Sequence, residues 1–199
     1  MQEIEAKYYV RNLPAVEGKI NAEGGELLHA RIHETNLRFD TPDGDLSRQY
    51  QMLRLRKALT VTITFKGSAL VLEGVSQRQE IETEMGDFEI AKSLLEALGY
   101  QVTRIYEKYR TEYLLDGLTI ALDELPYGNF VEIEGTGPEK IRQAAARLGL
   151  DPAVNIPANY LMLLDRFNKT RGLMLRDLTF ENLRDLVITP EDLDVIPAD

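Results

Sequence analysis

The sequence predicts an α+β, mainly β, fold: an eight-stranded antiparallel closed barrel with a charged lumen and a cover of amphipathic helices. Two observations predict it. Charged or polar residues recur at every second position in Glu3, Glu5 and Lys7, in Arg54 and Arg56, in Thr64 and Lys66, in Glu80 and Glu82, in Lys108 and Arg110, and in Glu132 and Glu134. A strand sends successive side chains to opposite faces, so each set shares one face. A soluble sheet normally wets its charged face; charges of both signs on so many strands predict a polar interior instead. The apolar residues Ile4, Leu53, Leu55, Phe65, Ile81, Val131 and Ile133 then form an outer wall that needs covering. The second observation supplies that cover: three stretches carry the helical period.

Strand one covers residues 2–10, and residues 12–25 read as a loop or short helix. Strand two covers 30–39, followed by the dense turn chemistry of Asp40, Thr41, Pro42, Asp43 and Gly44. Strands three, four and five follow at about 50–57, 60–66 and 77–85, with the apolar stretch from Leu70 to Val75 extending a hairpin. Phe88, Ala91, Leu94, Leu95 and Leu98 recur at helical spacing, and Gly99 supplies a stop. Strands six and seven, about 101–114 and 118–124, meet at the Asp116-Gly117 turn, and strand eight covers 130–134. A second helix opens at Pro138 and ends near Gly149; a third runs over about 157–167, with Asn155 as its cap.

The 199 residues carry a net charge of −10, which argues against nucleic acid as the main partner. There is no cysteine, hence no disulfide framework and no thiolate chemistry. No apolar run approaches the ~18–20 residues of a membrane helix, and the first strand leaves no room for a signal peptide. The expectation is a cytoplasmic protein with no membrane partner, as a monomer or a homodimer.

Glu3, Glu5, Glu132, Glu134 and Asp123 form an oxygen-only ligand set, which suits Mg²⁺ or Mn²⁺ better than zinc. His29 and His33 lie away from these motifs and read as surface or rim residues. Lys7, Arg54, Arg56, Lys66, Lys108 and Arg110 gathered in one lumen would focus their field on a small polyanion. Arginine forks match phosphate oxygens in bidentate geometry, and lysine acts as a point charge.

These motifs, in this order, resemble the CYTH superfamily, the triphosphate tunnel metalloenzymes. The resemblance rests on Glu3-x-Glu5-x-Lys7, on Phe39 to Asp43 with Leu46, on Arg54-x-Arg56 and Lys66, and on Arg78, Glu80 and Glu82. Lys108-x-Arg110, Asp123 and Glu132-x-Glu134 complete it, over residues 1–167. Arg38 departs from the pattern, which often has an aromatic there. The resemblance implies an eight-stranded tunnel, a triphosphate substrate and carboxylate-held Mg²⁺ or Mn²⁺. Lys7, Arg54, Arg56, Lys66, Arg78, Lys108 and Arg110 are then expected to hold phosphate. Glu3, Glu5, Glu80, Glu82, Asp123, Glu132 and Glu134 are expected at the metal, with Glu80 and Glu82 also able to orient the basic residues. Glu5, Lys7, Glu82 and Lys108 are assigned to the chemical step.

Hydrolysis of inorganic tripolyphosphate is the leading expectation. A class IV adenylate cyclase, a thiamine triphosphatase and a non-catalytic polyphosphate-binding module are the alternatives. Residues 1–170 are expected to form the tunnel domain and 171–199 an acidic helical appendage. From Asp177 to Asp199, seven acids against Arg184 leave a charge of −6. Leu178, Phe180, Leu183 and Leu186 are expected to pack that tail onto the protein or onto a second subunit, rather than to make it a lid.

Overall fold

The structure is a computed structural model; it describes residues 4–68, 70–72, 75–77 and 79–199. The strands are β1 (Ile4–Val10), β2 (Glu26–Asp40), β3 (Met52–Lys57), β4 (Val61–Lys66), β5 (Leu70–Leu72), β6 (Val75–Gln77), β7 (Glu80–Met85), β8 (Gln101–Leu115), β9 (Leu118–Leu125) and β10 (Gly128–Gly135). The helices are α1 (Leu13–Ala22), α2 (Asp45–Arg48), α3 (Phe88–Ala97), α4 (Pro138–Arg147), α5 (Tyr160–Arg171) and α6 (Phe180–Leu183).

Eight strands form one sheet in the order β1-β10-β9-β8-β2-β3-β4-β7, and β5 pairs with β6 as a separate hairpin. The eight antiparallel strands expected from the sequence are present, and among the described residues hydrogen bonds do not close the sheet into a barrel. The free edge of β1 is occupied otherwise. Lys7 O accepts from Ile156 N at 2.7 Å and Tyr9 O accepts from Ala198 N at 2.9 Å. Those carbonyls are already hydrogen-bonded to backbone outside the sheet. At the other edge, β7 carries Glu80, Glu82 and Glu84, charges that discourage further pairing.

The chain divides into two compact units, residues 1–33 with 108–199 and residues 34–107, here called terminal and central. In the terminal unit, Tyr8, Val10, Ile120, Leu122, Val131 and Ile133 form the apolar sheet face. The residues read as a loop or short helix form α1, capped by Asn12, whose Oδ1 accepts from Ala15 N at 3.1 Å. Val16 and Ile20 of α1, with Ile141, Ala144 and Ala145 of α4, cover the apolar face. The Asp116-Gly117 turn has positive φ at both residues, the geometry a tight hairpin between twisted strands requires.

In the central unit, Leu37, Phe39, Leu53 and Leu55 pack with Ala91 and Leu95 of α3. Asp87 caps α3 by accepting from Ile90 N at 2.8 Å. Ile81, expected in the covered wall, is 54% exposed because it lies on the edge strand. The turn after Phe39 is organised by buried Asp40, which accepts from Thr41 N, Leu46 N, Ser47 N and Ser47 Oγ. Burial opposes the ionisation of Asp40, but these bonds prevail and hold its carboxyl below the usual range.

The third predicted helix starts later than expected. Asn159, not Asn155, caps α5, accepting from Met162 N at 3.0 Å. Its first residue also lies elsewhere than on the apolar wall: Tyr160 stacks edge-on against Phe130, at 5.2 Å between centroids, on the charged face of the sheet. Beyond α5, Leu178, Leu183 and Leu193 are buried, whereas Leu186 and Val187 are exposed. Asp192 grips Arg171 through both carboxylate oxygens and accepts from Thr189 N. Among the described residues, no helix is long and apolar enough to cross a membrane.

Candidate functional site

The alternation of charge read from the sequence places one polar face on the strands of each unit. In the terminal unit, strand register sets Lys7 opposite Glu132 and Glu5 opposite Glu134 across β1 and β10, and Arg110 opposite Asp123 across β8 and β9. Asp123 is fully buried and accepts from Lys108 Nζ at 3.1 Å, Arg110 Nε at 2.7 Å, Arg110 Nη2 at 2.6 Å and the Tyr160 hydroxyl at 2.7 Å. Arg110 also donates to Glu132. Lys7, 5% exposed, lies 3.3 Å from Glu132, donates to Ala158 O at 3.1 Å and sits 4.1 Å from the centre of the Tyr160 ring.

The charges of this network stabilise one another. Burial opposes ionisation of Asp123 and Glu132, but the field of Arg110, aided by Lys108, outweighs it and holds both carboxyls below the usual range. Tyr160 is pushed the other way: burial first, then the negative charges of Asp123 and Glu132, raise its hydroxyl well above the ordinary value. The phenol therefore stays protonated and donates.

In the central unit the arginines are held more loosely. Arg54 donates to Thr64 Oγ1 at 3.3 Å and to the Tyr106 hydroxyl at 3.5 Å, with Glu82 at 3.7 Å. Arg56 donates to Thr62 Oγ1 at 3.1 Å, with Glu34 at 3.8 Å and Glu82 at 3.9 Å. Lys66 pairs with Glu80 at 2.9 Å. Thr64 Oγ1 donates to Glu82 at 2.5 Å, so Glu82 stands between a threonine and two guanidinium groups. These guanidinium contacts are mainly neutral hydroxyls and long ion pairs, in contrast to the tight bidentate bond of Arg110.

Glu3 and Arg78 lie outside the described residues. The remaining sequence-predicted residues fall into the two groups just given. Sequence reasoning missed Tyr160 and, in the central unit, Glu34, Asn36, Arg38, Arg104 and Tyr106. Glu34, Asn36 and Arg38 have the same period of two as the motifs that were found, and so do Arg104 and Tyr106 ahead of Lys108. The histidines stand apart: His29 bonds Glu112 at 2.8 Å, and His33 stacks on Tyr109 at 4.9 Å.

The donor chemistry suits a hard divalent ion, since every candidate ligand offers carboxylate oxygen. Among the described residues no three potential ligands converge on one point. Asp123 and Glu132 are engaged by cations. Glu5 and Glu134 lie opposite one another on neighbouring strands. Two adjacent carboxylates fit an ion that takes its remaining ligands from water and substrate phosphate, the usual manner of Mg²⁺.

No curated protein matches the chain. Among solved structures, a putative adenylate cyclase from Vibrio parahaemolyticus superposes with a TM-score of 0.72 at 24% identity, over 82% of this chain and 97% of that one. The PH1012 protein of Pyrococcus horikoshii gives 0.65 at 28% identity, over 80% and 98%. A putative adenylyl cyclase from Hippeastrum, described as having a dominant triphosphatase activity, gives 0.61 at 23% identity, over 87% and 98%. The CYTH domain family matches residues 1–149, three quarters of the sequence and every described strand, and the chain belongs to that family.

Proposed function

We propose that the protein is a metal-dependent triphosphatase, with inorganic tripolyphosphate as its substrate. One observation carries the reading: Arg54 and Arg56 project from one sheet face with their charges only partly neutralised, at 3.7–3.9 Å from their carboxylates. Guanidinium groups so placed gain much by meeting a phosphate, whose oxygens match their forks. The triphosphatase activity described for the Hippeastrum protein points the same way.

In this reading Arg54, Arg56 and Lys66 hold phosphoryl oxygens, and Glu82 and Glu80 keep these cations aimed until phosphate replaces them. Within the terminal unit, Lys7, Lys108 and Arg110 are assigned to phosphate, with Asp123, Glu132 and Tyr160 fixing their directions. Arg78, two positions before Glu80 in the sequence, is assigned to phosphate as well. Within the terminal unit, Glu5 and Glu134, with Glu3, would hold Mg²⁺ or Mn²⁺, which when bound would supply charge neutralisation to phosphate. Asp123 and Glu132 join that set only by releasing Arg110 and Lys7, which makes them anchors first. Water attacks a terminal phosphorus; the new P–O bond forms as the bridging P–O bond breaks, pyrophosphate departs with the negative charge, and the water's proton passes to the departing oxygen or to solvent. Arg54 and Arg56 stabilise that charge where it develops. Residues 1–170 carry this chemistry, and residues 171–199 act as a packed cover.

The test is phosphate release from tripolyphosphate with Mg²⁺ or Mn²⁺. ATP run in parallel, scored for pyrophosphate and cyclic AMP, separates a cyclase from a hydrolase. No release with either ion from neutral to alkaline pH overturns the proposal.

A further inference from the structure

Asn36 is fully buried, and neither its Nδ2 nor its Oδ1 has a hydrogen-bond partner among the described residues. Buried amides are nearly always paired, because desolvating them without a partner is costly. Asn36 lies on β2 directly opposite Arg56 of β3, on the polar face of the central unit. Two residues on, Arg38 stands on the same face, opposite Arg54. The Arg38 side chain is half-buried, with no hydrogen bond or ion pair described for its guanidinium group. The Nε of Arg54 is likewise buried, with no hydrogen-bond partner among the described residues. The Asn36 amide, the Arg38 guanidinium and the Nε of Arg54, on two adjacent strands, thus lack acceptors among the described residues.

We propose that Asn36, Arg38 and the Nε of Arg54 form a phosphoryl-oxygen subsite of the central unit, beyond the residues that the charge motifs identify. The ligand's identity rests on the triphosphate reading above; the site's location rests on the orphaned donors. Phosphate supplies acceptors and no obligatory donor, which suits Arg38, Arg54 Nε and the amide Nδ2. Asn36 Oδ1 takes a hydrogen bond from water hydrating the bound group. Arg38 also has an electrostatic reason to bind an anion. Burial lowers its pKa, and the positive charges of Arg54 and Arg104 lower it further, against the pull of Tyr106 and Asp40. An anion among these groups would relieve both penalties.

The test compares wild type with Asn36→Leu, Arg38→Gln and Arg38→Lys. Calorimetry with tripolyphosphate and with pyrophosphate, in chelator-treated buffer, reads binding; melting without ligand reads stability. Asn36→Leu is expected to melt at or above the wild-type temperature, since it deletes two unpaired polar atoms and no bond. It is nevertheless expected to bind both anions about tenfold more weakly, as is Arg38→Gln. Arg38→Lys should recover part of the loss, because it keeps the charge without the fork. Binding by Asn36→Leu and Arg38→Gln within about twofold of wild type overturns the subsite, as does a wild-type protein that binds neither anion. Wild type that binds tripolyphosphate without hydrolysing it defeats the triphosphatase reading while leaving the subsite standing. Normal hydrolysis by both variants, with normal binding, defeats the subsite alone.

Discussion

Tyr160 at the start of α5 donates its hydroxyl to Asp123 of β9 at 2.7 Å, across 37 positions of sequence. Its ring also lies beneath two lysine ammonium groups, 4.1 Å from Lys7 and 5.6 Å from Lys108. One side chain thus supplies a donor to the buried carboxylate and a π face to the cations around it.

Tyr160→Phe separates these contributions. The ring and its cation contacts remain, and Asp123 loses one donor while keeping Lys108 and Arg110. A stability loss of about 1–2 kcal/mol is expected, read from the urea midpoint at constant slope. No loss would mean that the hydroxyl is replaced by water without cost.

Asp123→Asn should do more damage, because it leaves Lys108 and Arg110 buried with one fewer counter-charge. Breaking a buried pair in this way costs about 3–5 kcal/mol. The acid limb of stability should change with it. The folded-state pKa values of Asp123 and Glu132 lie below the ordinary carboxylate range. Their stabilisation is therefore present above the unfolded pKa of about 4 and is lost as pH falls through the depressed folded values. Melting temperature against pH should fall less steeply below about pH 4 in Asp123→Asn than in wild type. Parallel curves would show that Asp123 contributes nothing to acid unfolding.

Arg54→Ala and Arg56→Ala should each raise the Michaelis constant for tripolyphosphate by about tenfold to a hundredfold. Lysine at either position should rescue only partly, since it keeps the charge and loses bidentate geometry. Full rescue would show that charge alone acts there.

Glu5→Gln and Glu134→Gln address the metal assignment. Glu5 is exposed and faces Glu134 across the strand pair, so neither substitution opens a core. Both variants should fold normally and need a higher Mg²⁺ or Mn²⁺ concentration for half-maximal turnover. Unchanged metal dependence would remove these residues from the metal set.

The strands and their polar faces were legible because a period of two is a local property, visible in Arg54-Leu55-Arg56 without knowledge of any neighbour. The same rule reached only as far as it was applied. Glu34, Asn36 and Arg38 obey it, but no repeated charge marks Asn36 as a polar-face residue. Tyr160 was not legible at all: its place beside Asp123 depends on where α5 docks, and α5 reads as one more amphipathic helix for the apolar wall. The unclosed hydrogen bonding of the sheet was not legible for a similar reason. Counting eight strands predicts a barrel, but Ile156 and Ala198, which occupy the carbonyls of Lys7 and Tyr9, sit in segments with no strand signal.

The C-terminal segment gives the last prediction. Its acids serve its own fold. Asp192 grips Arg171 of α5, which holds its carboxyl down at about 2. Asp199 accepts from the backbone amides of Arg11 and Asn12, where α1 begins and its dipole favours negative charge. Leu178, Leu183 and Leu193 are buried beneath them. Phe180 packs on Tyr109 at 5.2 Å. These contacts all lie within the terminal unit. Truncation after Arg176 should therefore lower the melting temperature and expose apolar surface, read by dye binding, while the Michaelis constant for tripolyphosphate stays within about twofold. A large fall in that constant with unchanged melting would identify the segment as a lid that competes with substrate. The milder Asp199→Asn should cost about 0.3–1 kcal/mol, through the start of α1 alone.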